Sequence, residues 1–360
     1  MKLLDLYYLR SVISTLIFSL AALCLIFVVV DLLENLDDFL DHKADGLVIA
    51  EYYVNYLPQV LKLLTPVGML LAGLFATGRL SNSNEITAMK SGGMSLYRLI
   101  APVFVLTLAL SAAQVYFNGW IVPGANTKKA VIERKYLGRG STPGAVYNLY
   151  FRESPTRNVI MQYYDPDSKT GTQFVIEEFT SETAPRLIKR IDAQRITWDT
   201  AQNLWRMTNA AIRAVTPNGT TYSVRTDDTI SLGVSHGEIV ELQRSTDQMT
   251  FDELRNYIAL LEKGGKDIRR QLIDYYGQWA FPFANVIVSL FAVPFASVRK
   301  KSGLAVEMSA AMVVAFLYLV FTKVGQTLGA ETTLSPAAVG WTPNLIFACV
   351  AVVVILRTKK

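Results

Sequence analysis

Apolar residues run along this chain in six long blocks, at 12–33, 53–77, 99–122, 278–298, 304–328 and 337–356, separated by short polar turns and one long polar interval. A helix rises about 1.5 Å per residue and the hydrocarbon core of a bilayer is about 30 Å thick, so each block predicts a membrane-crossing helix. The first block follows a head containing Lys2 and Arg10 and looks at first like an export signal. It exceeds the ~7–15 apolar residues of such a signal, and no A-x-A-like cleavage site follows, which predicts a retained span.

Between the third and fourth blocks the period changes. Six stretches read as strands: AVYNLYFR (145–152), NVIMQYYD (158–165), TQFVIEEF (172–179), KRIDAQRITWD (189–199), NLWRMTNAAIRAV (203–215) and TTYSVRT (220–226). Turn chemistry separates them, as in DPDSKTG at 165–171 and TPNG at 216–219. Short strands at this spacing predict a β-sandwich or jelly roll. The helical period returns at 247–277, where Thr250 and Glu253 have capping-box spacing, Leu254, Ile258 and Leu261 share a face, and Gly264-Gly265 marks a stop. A second amphipathic stretch runs into the fourth span, which Pro282 and Pro294 should bend or break near its two ends.

The polar passage RLSNSNEITAMKSGGMSLYR at 79–98 stands between the second and third spans. Asn82 and Glu85 have capping-box spacing and Gly92-Gly93 supplies a stop, which predicts a helix of about two turns. Ile86 and Met89 then share one face with Glu85 and Lys90 at its sides. Such an apolar knob, standing out from the membrane, suits a groove on a soluble partner; a helix lying on lipid is the plainer alternative.

Composition agrees with the pattern: 51% hydrophobic, 18% charged and a mean hydropathy of +0.28 describe a membrane protein. The net charge of +5 does not indicate nucleic acid, because the basic residues sit beside the apolar blocks. Lys2, Arg10, Arg79, Lys90, Arg98, Arg299, Lys300, Lys301, Arg357, Lys359 and Lys360 all fall on one side of a six-span arrangement, predicting cytoplasmic termini. The acidic 31–51 connector, with Asp31, Glu34, Asp37 and Asp38, falls opposite, and so does the long interval. Cys24 and Cys349 lie inside apolar runs and offer no disulfide framework or metal pair, and His42 and His236 have no ligand-like neighbours.

No phosphate-binding G-x-x-x-x-G-K-[ST] occurs; GGK at 264–266 lacks the spacing. The chain carries no ATPase, no cofactor site and no nucleophile–base–acid set, so any ATP and Mg would belong to a partner, and 79–98 is where a separate ATPase could push. The RKKSG loop at 299–303 offers a second such contact or a plain topology anchor. Lys62 and Lys323 sit in the outer parts of spans two and five, where a cation either meets an anionic lipid or snorkels and pairs with the acidic connector. Lys128, Lys129, Arg134, Lys135 and Arg139 form a basic cluster after span three, either a solvated helical extension around Glu133 or a phosphate-recognising surface. The interval's sheet would cradle a ligand or pair at its edge with another β-protein.

The segments GRLSNSNEITAMKSGG (78–93), WIVPGAN (120–126) and MTFDELRNYIALLEKGG, with the following span through WAFPFANVIVSLFAVPFA (249–296), resemble the LptF/LptG (YjgP/YjgQ) permeases of the lipopolysaccharide export ABC transporter. The resemblance covers essentially the whole chain and implies an α-helical inner-membrane protein with six transmembrane helices and an inserted periplasmic β-jellyroll domain. Residues 1–122 would hold helices one to three, 123–270 the periplasmic domain with flanking helical segments, and 271–360 helices four to six.

The resemblance further implies a sister permease, a cytoplasmic LptB-like ATPase dimer and LptC- and LptA-like periplasmic β-jellyroll bridge proteins. The substrate would be lipopolysaccharide, taken from the outer leaflet of the inner membrane in outer-membrane biogenesis. The 84–91 segment would be the coupling helix with Glu85 its acidic contact, the edge of the 145–240 sheet the hand-off surface, and spans one and five the lateral gates. Family members often carry basic residues at the outer end of span one, where this chain has Asp31, Glu34, Asp37 and Asp38. Lys62, Lys323 and the 128–139 cluster are thus the candidates to meet lipid phosphates. The residues leave open a permease for another lipid or lipoprotein, and a scaffold that displays a β-domain.

Overall fold

The computed structural model describes residues 3–138, 146–181, 185–216, 219–241, 245–263, 267–297 and 303–357. The chain forms two compact units, residues 1–138 with 269–360, and residues 139–268.

The first unit is helical. Helices α1 (Leu3–Asp41) and α2 (Gly46–Asn82) form an antiparallel pair, and the short α3 (Glu85–Ser91) leads to α4 (Leu96–Tyr116). A π-helical turn at Phe117–Ile121 joins α4 to α5 (Val122–Tyr136), so the third span and its predicted basic extension are one nearly continuous helix. All six predicted spans are present as helices long and apolar enough to cross a membrane. At 39 and 37 residues, α1 and α2 are about 55–58 Å long, well beyond the ~30 Å of hydrocarbon.

The main core of this unit joins Tyr8, Val12 and Leu16 of α1 to Met69, Leu70 and Leu74 of α2 and to Leu99 and Val103 of α4. The fourth span completes it with Val288, Ala292 and Val293. The approach is close: a Cβ at Gly73 would lie 2.7 Å from the Ala292 methyl, so only glycine fits there.

In the second unit all six predicted strands form: β1 (Val146–Ser154), β2 (Arg157–Asp165), β3 (Thr170–Phe179), β4 (Leu187–Asp199), β5 (Leu204–Thr216) and β6 (Gly219–Ile230). They pair consecutively and antiparallel as one sheet, so among the described residues a meander stands where a sandwich would have two packed sheets. A row of positions left out of the ladders, with no change of register, bends this sheet over its own core. The ladders step over Gln162, Gln173, Gln194 and Asn209, which lie in register across β2 to β5. At that row the buried positions are three apart instead of two, as in Met161 and Tyr164, Ala193 and Ile196, or Met207 and Ala210. Each strand thus turns two successive residues outward, which bends and twists it. Gln173 and Asn209 take φ of 50° and 54°, and the Asn209 Nδ2 donates to Gln194 Oε1 at 3.0 Å.

The segment after β6 folds back on the concave face, where Leu232, Val234 and, from α6 (His236–Glu241), Ile239 join Phe151, Phe174 and Trp205. Helix α7 (Phe251–Lys263) begins as its sequence predicts. The Thr250 N–H donates to Glu253 Oε2 at 2.8 Å, the Glu253 N–H donates to Thr250 Oγ1 at 3.3 Å, and Leu254, Ile258 and Leu261 are buried.

The helical unit resumes with α8 (Arg269–Ala280), a 3₁₀ turn at Phe281–Phe283, α9 (Ala284–Ser297), α10 (Gly303–Gly329) and α11 (Pro336–Arg357). Pro282 interrupts the fourth span as expected, whereas Pro294 lies inside α9 three residues from its end. Arg139, Gly264-Gly265 and most of the RKKSG loop lie outside the described residues.

Candidate functional site

Helix α3 occupies the connection between the second and third spans, and its seven residues match the predicted two turns. Its start differs from expectation. Asn82 is the last residue of α2, and the N-cap is Asn84, held at φ 60° without a side-chain capping bond. The chain turns too tightly after α2 to leave room for a capping box, and asparagine tolerates the left-handed region this requires. The end is as predicted: Gly93 at φ 83° lets its N–H reach the Lys90 carbonyl at 2.9 Å and the Met94 N–H reach the Met89 carbonyl at 3.0 Å, a Schellman closure.

The apolar face does not stand out as a knob. Ile86 is only 3% exposed and packs in the same core as Leu80, Leu99 and Val103, so burial of its side chain clamps α3 to the helical body. Glu85, Met89 and Lys90 are half-buried, and Thr87 and Ala88 are exposed. Glu85 and Lys90 form no ion pair among the described residues. The surface that α3 presents is therefore a polar ridge fixed by one isoleucine.

The candidate cations fall into separate places. Lys62 is half-buried on α2, and its main-chain carbonyl accepts from Gln114 Nε2 at 3.0 Å. Lys323 is exposed on α10, in the electrostatic surroundings of Asp274 of α8 together with Arg270. On α5, Lys129 pairs with Glu133 at 3.2 Å and stands over the Tyr56 ring at 5.3 Å. Arg134 Nε donates to the Ala130 carbonyl of its own helix at 3.0 Å, Lys135 lies over the Tyr136 ring, and Lys128 is exposed. The predicted cluster is thus a helical extension whose cations are partly engaged by its own carboxylate and aromatic rings.

Three features escaped sequence reasoning. The acidic connector is organised by tyrosines: Tyr53 donates to Asp31 Oδ2 at 3.1 Å and Tyr52 to Glu133 Oε1 at 3.4 Å, beside Phe39 and Ile132. The YY pair at 52–53 was the available signal. The α4–α9 contact carries a polar seam in which Ser111 Oγ donates to the Pro282 carbonyl at 2.8 Å and Asn285 Nδ2 donates to Gln114 Oε1 at 2.6 Å. Arg269 clamps the turn between α10 and α11, donating to the carbonyls of Ala330 at 2.9 Å, Gly329 at 3.0 Å and Leu334 at 2.6 Å.

In the β unit, β1 and β6 are the sheet edges; α7 packs near β1, and β6 is exposed along almost all its length. Tyr222 and Val224 leave apolar surface on β6 at 63% and 60% exposure.

Over residues 6–357 the chain matches the lipopolysaccharide export system permease family, LptF/LptG. The chain belongs to that family. No curated protein matches it. Membership agrees with six apolar helices around an inserted antiparallel β domain, and makes this LptF/LptG chain a transporter component and a multi-pass inner-membrane protein of lipopolysaccharide export.

Proposed function

We propose that this LptF/LptG chain is the permease subunit that takes lipopolysaccharide from the outer leaflet of the inner membrane and passes it to a periplasmic bridge, driven by ATP hydrolysed on a separate subunit. In this reading both termini and α3 are cytoplasmic and the β unit is periplasmic, as the distribution of lysine and arginine argues. A sister permease completes the membrane cavity, an LptB-like ATPase dimer engages α3, and LptC- and LptA-like β-jellyroll proteins receive the lipid. ATP and Mg belong to the ATPase.

One observation carries the coupling role: Ile86 roots α3 in the core shared by α1, α2, α4 and α9. Force applied to the exposed side of α3 therefore reaches four spans through a packed contact instead of dissipating in a loop. Glu85, at the start of α3, is the acidic contact, and Lys90 and Met89 border it. At the other end, Lys62, Lys323, Lys128, Lys129, Arg134 and Lys135 are the candidate cations to meet lipid phosphates. The exposed β6 edge is the hand-off surface, where backbone pairing with an incoming strand extends the sheet.

The decisive experiment measures ATPase and lipid release together in the reconstituted complex. Glu85→Lys should leave ATP hydrolysis running while lipid export falls, or should release the ATPase; normal export with normal hydrolysis would end the coupling assignment. Cysteine labelling at Thr87 from the two sides of the membrane tests the topology separately.

A further inference from the structure

Helices α1 and α2 part along one stretch and leave a cleft of about 590 Å³. Its walls are Phe18, Ala22, Leu23 and Ile26 of α1 with Leu71 and Phe75 of α2; Thr15 and Ser19 add hydroxyls to the α1 wall, and Arg79, Asn82 and Ser83 line the stretch beyond Phe75. The helices are antiparallel, with Tyr8 against Thr77 and Leu20 beside Gly68, so the two lining stretches, Thr15 to Ile26 and Leu71 to Ser83, overlap at one end only and the cleft runs along the pair. Thus the cleft is a largely apolar slot along the helix pair with a guanidinium near one end.

We infer that this slot holds an acyl chain of an anionic phospholipid whose phosphate is taken by Arg79. The guanidinium is already oriented: its Nη2 donates to Ser11 Oγ at 2.8 Å, which uses one of its five N–H donors. A planar fork of this kind recognises phosphate oxygens in pairs, and the Asn82 amide beside it offers further donors. The Tyr8–Thr77 hydroxyl contact at 2.6 Å and Ser11–Arg79 hold the helix pair together beside the guanidinium. Phe18 and Phe75, 75% and 36% exposed, flank the side opening. A lipid seated there fills the gap between α1 and α2 and sets their separation. A second cleft of about 380 Å³, between α4 and α11 and lined by Ile100, Phe104, Val352 and Ile355, has no charged group in its wall and selects no head group.

The leaflet rests on the topology proposed above and would be the cytoplasmic one; the head-group preference does not depend on it. The test uses the full chain reconstituted in nanodiscs of phosphatidylglycerol and phosphatidylcholine, then stripped in mild detergent and weighed by native mass spectrometry. Wild type should retain phosphatidylglycerol in preference to phosphatidylcholine. Arg79→Gln should lower that retention about tenfold, the loss of one charge-assisted contact. Ala22→Phe, at an exposed position that tolerates bulk, should displace the lipid with Arg79 intact. Equal retention by wild type and both variants, or no head-group preference in wild type, overturns the site. So does a photo-crosslinker at Phe18 that labels a second protein chain instead of lipid. Labelling at Thr87 that reverses the topology moves the site to the other leaflet and leaves the retention result standing.

Discussion

The Tyr164 hydroxyl and the His236 Nδ1 lie 2.6 Å apart, joining β2 to the segment that covers the concave face of the sheet. Burial raises the Tyr164 phenol above its ordinary value, so it stays protonated beside the imidazole. Burial, reinforced by Lys169, lowers His236 below its ordinary 6.5. The same segment is held by the Trp205 indole, which donates to the Val234 carbonyl at 2.9 Å, and by the Gly233 N–H, which donates to Glu153.

The pH dependence follows from that depressed histidine. The unfolded chain binds the proton more readily, so the contribution is whole above the unfolded value of 6.5 and is lost as pH falls through the lower folded value. Protection of residues 231–239 against hydrogen exchange should fall as pH drops below 6.5, and His236→Gln should flatten that response. An unchanged pH profile in the glutamine variant would remove His236 from the account.

Truncating the anchor of α3 tests the mechanical link. Ile86→Ala should cost about 2–5 kcal/mol locally and Ile86→Val about 0.5–1.5 kcal/mol, the usual range for buried isoleucine. In the assembled transporter the alanine variant should lower lipid export per ATP hydrolysed more than it lowers hydrolysis itself. Equal losses in both would mean that Ile86 serves stability alone.

The cap of α7 is exposed to a simpler measurement. Thr250→Ala removes the hydroxyl that accepts from the Glu253 N–H, leaving only the Thr250 N–H to Glu253 bond, and should cost about 1 kcal/mol, while Thr250→Ser should recover most of it. Hydrogen exchange at residues 251–254 reads this directly, with faster exchange expected in alanine and near-native exchange in serine.

The clamp on the α10–α11 turn predicts a failure of conservative replacement. Arg269 reaches three carbonyls with a rigid fork, a geometry lysine's single ammonium cannot reproduce. Both Arg269→Lys and Arg269→Ala should therefore raise exchange at residues 329–334. Full protection in the lysine variant would show that charge suffices.

Close packing of α2 and α9 makes the last prediction. Gly73→Val drives a branched side chain into Ala292 and should destabilise by about 1–3 kcal/mol, read as a lower thermal midpoint of the purified chain. Adding Ala292→Gly to that variant should restore part of the loss, because it opens the space the valine needs.

The elements of this protein were legible in its sequence because they depend on local chemistry. Apolar blocks long enough for a bilayer became the six spans, alternation and turn residues became six strands, and the Thr250–Glu253 and Gly92-Gly93 signals start and stop helices as written. Each rests on residues within a few positions of one another. What faces what was decided elsewhere. Ile86 reads as a protruding knob from helical spacing alone, and only the core assembled from α1, α2, α4 and α9 turns it inward. Asn82 loses its cap because α2 continues through it. Lys129 reads as an available cation until Glu133 and Tyr56 arrive beside it from the next turn and from α2. The amide row that bends the sheet is invisible along the chain, since Gln162, Gln173, Gln194 and Asn209 become neighbours only when four strands register. Periodicity encodes which residues form an element; burial and partnership are set by segments far away in sequence, and those are properties of the packed molecule.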